Sequence, residues 1–110
     1  MEKDRAISKL SDGHTIWKVG VAKEICVALG VPFDEKRLVR KWESTFSEKN
    51  YKGLQMREGL ENTEGVCSLT LSECVARHFG VDKKAGSYIG RGFQAQAYAE
   101  AVAKKIGCVK

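Results

Sequence analysis

The residues whose types could carry chemistry are four cysteines, two histidines, a few acidic pairs and several clusters of lysine and arginine. Cys74 and His78 are four apart, so on a helix they share one face, as paired zinc ligands often do. Cys67 and Cys108 are the further ligands such a site would need. Structural zinc sites use two close ligand pairs, however, and no cysteine pair here has the two-residue gap of a zinc knuckle or a redox motif. The thiols therefore read as reduced core residues, and no metal is expected. Cysteine–histidine catalysis needs an orienting third group and a pocket, and the chain offers no nucleophile motif. Asp34 and Glu35 are adjacent carboxylates, but they open a helical pattern, where their charge favours the helix dipole. Gly86-Ser87-Tyr88-Ile89-Gly90-Arg91-Gly92 matches neither a phosphate loop nor a dinucleotide fingerprint, although its backbone N–H groups and Arg91 suit a phosphate. The expectation is no enzyme, no cofactor and no small-molecule substrate. The cations remain: Lys36, Arg37, Arg40 and Lys41 in one group, Lys83, Lys84 and Arg91 in another, with Ser87 and Tyr88 between. Their chemistry is charge-assisted hydrogen bonding to phosphate.

These side chains need elements to hold them. Lys3 to Leu10 puts Ala6, Ile7 and Leu10 on one helical side, as a short helix or a frayed arm, and Ser11-Asp12-Gly13 breaks it. Thr15 suits an N-cap, and from Ile16 the apolar residues Ile16, Val19, Ala22, Cys26 and Leu29 recur at helical spacing. Gly30 and Pro32 end that helix. Asp34 caps the next, with Leu38, Val39, Trp42 and Phe46 as its apolar stripe and the cations largely on the other sides; it is expected to run to about Ser47. Lys52–Arg57 and Val66–Leu71 can pair as a hairpin around Glu58–Gly65 or stay irregular. Thr70-Leu71-Ser72-Glu73 is a capping box that opens a helix through Phe79, which Gly80 closes. Asp82 can cap a short turn, and Gly86, Gly90 and Gly92 favour tight turning after it. The last helix spans Phe93–Ile106, with Ala97, Ala101, Val102 and Ile106 inward and Gly107 as its stop. Trp17 and Trp42 read as core residues rather than base-stacking platforms. The expected fold is mainly α: one compact domain, residues 1–110, of about five helices, with room for a small β-hairpin in residues 51–70.

Leu71-Ser72-Glu73-Cys74-Val75-Ala76-Arg77-His78-Phe79-Gly80-Val81 resembles the first helix and turn of helix-turn-helix DNA-binding domains. A small residue, Ala76, stands four positions before the turn glycine, Gly80, and an apolar residue, Val81, follows it. The small side chain lets a second helix cross closely, and glycine takes positive φ without penalty. The second helix departs from the pattern, because Gly86 occupies its expected apolar position. A looser match, Glu24 to Val31, places Cys26 at the small position and Gly30-Val31 at the turn, fifty residues before Gly80-Val81. Its second helix, from Glu35, is capped, amphipathic and cationic. The resemblance implies binding of double-stranded DNA, usually as a homodimer.

Composition agrees with that class of partner. Apolar residues make up 43% and charged residues 30%, an ordinary globular mixture that argues against wholesale disorder. No apolar run approaches the ~20 residues of a membrane span, and the charged start Met1-Glu2-Lys3-Asp4-Arg5 has no secretion-signal character. A cytoplasmic, nucleoid-associated protein with no membrane partner is expected. The net charge is +5, and residues 67–110 hold seven Lys/Arg against three acids. Such an excess favours a polyanion. The expected function is sequence-specific DNA binding, in a transcription regulator or a phage or plasmid origin or partition-site binder. A small helical inhibitor or adaptor is the alternative, and an RNA binder comes third.

Overall fold

Ala6, Ile7 and Leu10, at three- and four-residue steps, are all buried on one side of a helix, α1 (Lys3–Leu10), in the computed structural model. The structure describes residues 1–13, 15–42, 55–56, 63–81 and 91–107. After α1 come β1 (Thr15–Lys18), α2 (Val19–Leu29), α3 (Glu35–Leu38), β2 (Arg40–Trp42), β3 (Gln55–Met56), β4 (Thr63–Cys67), α4 (Ser68–His78) and α5 (Arg91–Ile106). The architecture is mainly α, with five helices among the described residues around a small sheet.

The sheet runs in the order β2-β4-β1-β3. β4 is central and antiparallel to both β2 and β1, whereas β3 pairs with β1 in parallel. Strands do form within residues 51–70, but β3 and β4 both flank β1 and are not each other's partners. Trp17 and Val66 sit opposite one another on the face that meets the helices. Ile7, Leu10, Ile25, Leu71, Val75 and Val102 close the core over them. Trp17 is 2% exposed, with Lys9 Nζ 4.6 Å from its ring centroid.

Two buried serines tie α4 to the turn after α1. Ser68 Oγ accepts from the Thr15 N–H (3.1 Å). The Ser72 hydroxyl donates to the Leu10 carbonyl (2.5 Å), with the Ser68 carbonyl at 2.9 Å as a second acceptor. A helix's last carbonyls have no intrahelical partner, so Ser72 supplies one to α1.

Several boundaries differ from the sequence expectation. Thr15 does not cap a helix from Ile16; its hydroxyl donates to Asp12, and Thr15–Lys18 is a strand. Thr15, Ile16 and Trp17 suit a half-buried pleated surface, and β4 offers them backbone partners. α4 starts at Ser68, two residues before the capping box, because β4 runs straight into it. α5 starts at Arg91, and its buried face is Ala95, Ala99, Val102 and Ala103; Ala97, Ala101 and Ile106 are half-buried beside it.

Two segments of the chain share a local pattern. β1–α2 and β4–α4 are each a strand followed at once by an 11-residue helix that ends in Gly-Val. At a constant offset of fifty residues, Ile16 matches Val66, Ile25 matches Val75 and Cys26 matches Ala76, and all six are buried. The ladder pairs Ile16 with Cys67 and Trp17 with Val66, and that register maps onto itself when the two units are exchanged.

Candidate nucleic-acid interface

α2 buries Ala22, Ile25, Cys26 and Leu29 and ends at Gly30, whose φ is +72°. The Gly30 N–H donates to Val27 O (3.2 Å) and the Val31 N–H to Cys26 O (2.9 Å), which satisfies carbonyls that the helix end leaves open. Val31 then enters the core at 6% exposure. α4 ends the same way: Gly80 has φ +72°, its N–H donates to Arg77 O (3.1 Å) and the Val81 N–H donates to Ala76 O (2.9 Å). Both helix–glycine–valine corners expected from the sequence are present.

After the first corner, Asp34 Oδ1 accepts from the Arg37 N–H (3.3 Å) and opens α3. Leu38, 4% exposed, pins α3 to the core, while Lys36 and Arg37 face solvent. The expected helix to Ser47 does not form. α3 is one turn long, Val39 is extended (ψ 132°), and Arg40–Trp42 pair with Gly65, Glu64 and Thr63 of β4. A branched residue at 39 and a ready strand partner outweigh the helical periodicity.

This changes how the cations are grouped. Arg40 and Lys41 are exposed, as expected, but on a strand they point to opposite faces. Lys41 lies opposite Glu64, and Arg40 lies opposite Gly65 with its Nη1 donating to Val39 O (3.0 Å). Glu35 is engaged by Lys23 Nζ at 2.6 Å. Trp42 belongs to β2, and its side chain and Phe46 lie outside the described residues. So do Lys83, Lys84, Ser87 and Tyr88; Arg91 is the first residue of α5, its side chain not described.

Two cations were missed by the sequence reading. Arg77 is exposed in the last turn of α4, and its charge, like that of Arg37, pulls against the burial that raises the Cys74 thiol. Lys18 is exposed at the end of β1. Arg77 fell on the helix read as the first of the helix-turn-helix match, and Lys18 fell in what read as a helix start. Beside the second corner, Glu73, Ala76, Arg77, Gly80, Val81 and Tyr98 line a groove of about 410 Å³.

Among the described residues no three His, Cys, Asp or Glu side chains group as metal ligands. None of the described helices is long and apolar enough to cross a membrane. No family model, curated protein or solved structure matches the chain.

Proposed function

We propose that this protein binds double-stranded DNA through the α2–Gly30-Val31–α3 corner and the cations that follow it, as a sequence-specific regulator or an origin or partition-site binder. The observation that carries the reading is the corner itself. Val31 and Leu38 anchor it in the core while Lys36, Arg37 and Arg40 stay exposed around it. The single turn of α3 is compatible with this, because recognition helices touch base edges with their N-terminal residues. Lysine and arginine then neutralise phosphates, and a few side chains read base edges. Binding as a homodimer belongs to the same reading. The second cationic group, Lys83, Lys84 and Arg91 with Ser87 and Tyr88, contacts the same duplex in this scheme.

The test is fluorescence anisotropy of a labelled random-sequence duplex between 50 and 200 mM salt. Affinity is expected to fall steeply and log-linearly with salt, and Arg37→Ala to reduce the slope by about one unit. Lys83→Ala with Lys84→Ala is expected to reduce it by about two. The short α3 also favours the second reading, a protein adaptor, since one helical turn reaches little of a groove. Absence of salt-dependent binding in the same titration would select the adaptor.

A further inference from the structure

The groove beside the second corner is built by two helices. Glu73, Ala76, Arg77 and Gly80 recur at three- and four-residue steps, so they form one stripe of α4 that runs out to its glycine corner. Val81 follows the corner, and Tyr98 comes from α5. Ala76 is buried and Val81 half-buried, so both offer apolar contact. Glu73 and Tyr98 are half-buried, and Arg77 is exposed. The space of about 410 Å³ is of the size that small ligands occupy.

Charge distinguishes this groove from a gap in the packing. Glu73 lies one helical turn before Arg77, the order in which an acid and a base on one helix pair best. They do not pair here. Among the described residues, the side chains of Glu73, Arg77 and Tyr98 make no hydrogen bond or ion pair. A carboxylate and a guanidinium therefore line one space, about 6 Å apart at their Cβ atoms, each with its hydrogen-bonding capacity open. A simple anion in that space would meet Glu73, and a simple cation would meet Arg77. A molecule that carries both charges close together satisfies both. In a free α-amino acid the ammonium and carboxylate groups sit on one carbon. With the ammonium toward Glu73 and the carboxylate toward Arg77, the side chain has Ala76, Val81 and the Tyr98 ring to lie against.

We propose that the groove between α4 and α5 binds a free α-amino acid with an apolar or aromatic side chain. Glu73 accepts from its ammonium group, and the Arg77 guanidinium donates to its carboxylate. The site does not involve DNA, so it stands apart from the function proposed above.

The experiment is isothermal titration of L-phenylalanine and of L-leucine, up to about 10 mM, into the whole chain without DNA. Saturable binding of at least one is expected. L-Phenylalaninamide lacks the carboxylate and N-acetyl-L-phenylalanine lacks the ammonium; each is expected to bind about tenfold more weakly than L-phenylalanine, or worse. Glu73→Gln and Arg77→Gln are each expected to weaken amino-acid binding about as much. Circular dichroism melting without ligand checks that both variants fold, and the two analogues test the wild-type chain without any variant. Absence of saturable binding by either amino acid overturns the proposal. Equal binding of the amide also overturns it, because the groove then takes the amino end of a peptide. Equal binding of the N-acetyl form overturns it too, because a simple anion then suffices. If both variants bind as the wild type does, the groove is not the site. None of these outcomes alters the salt titration of the duplex, so this inference and the DNA reading fail separately.

Discussion

Cys26 lies on the buried side of α2 at 1% exposure, and burial, with a smaller push from Cys74, raises its thiol from 9.0 to about 11. Burial raises Cys74 too, against the pull of Arg37 and Arg77. A buried thiolate is costly because the core cannot solvate its charge. The folded state therefore holds the Cys26 proton at a pH where the unfolded chain has released it. Stability from this source is fully present below pH 9 and is lost as pH rises through 11. Denaturant midpoints measured from pH 8 to 11 are expected to fall over that window. Cys26→Ala should flatten the fall while lowering stability throughout. A fall of the same steepness in Cys26→Ala would place its origin elsewhere.

Two helices of this chain end in one conformation, and glycine is required there for a reason that can be measured. Gly30 and Gly80 both have φ +72°, where a Cβ meets no neighbouring atom within 4 Å but crowds its own backbone. Alanine at either position is expected to cost about 1 kcal/mol in urea unfolding. Gly20, in the first turn of α2, faces equally open space without the positive φ. Gly20→Ala is expected to stabilise by about 0.5 kcal/mol. Equal effects at all three sites would mean that the left-handed corners are not what the glycines serve. The first corner matters because it leads the chain into α3, which Leu38 pins to the core, and on to β2 at the edge of the sheet.

For the molecule as a whole, the proposed dimer is constrained by what the monomer already uses. The last helix, through Phe93, Ala97, Tyr98, Ala101 and Val102, is the expected seam: Ala97, Tyr98 and Ala101 are half-buried and stay available to it, Val102 is fully buried in the protomer's own core, and the Phe93 side chain lies outside the described residues. Light scattering at tens of micromolar is expected to give twice the chain mass, and Ala101→Glu to give the monomer with an unchanged fold. A monomer both free and on DNA would remove the dimer from the proposal.

What the sequence determined by itself is local. The helical stripes of α1, α2 and α4 were legible because their periodicity lies within one segment, and so were both Gly-Val corners, since positive φ selects glycine. Asp34 was legible as a cap for the same reason. The strand content was not. Ile16 to Lys18 and Arg40 to Trp42 carry patterns that fit a helix, and they became strands because β4, with Gly65 at its centre, offered backbone partners. That choice changed a period of 3.6 into a period of two, which sent Arg40 and Lys41 to opposite faces. It also set Lys18 in one row with Arg40. Helix ends and turns are decided by neighbours in the chain, whereas strand pairing is decided by segments far along it. Tertiary structure alone therefore determined which cations stand together.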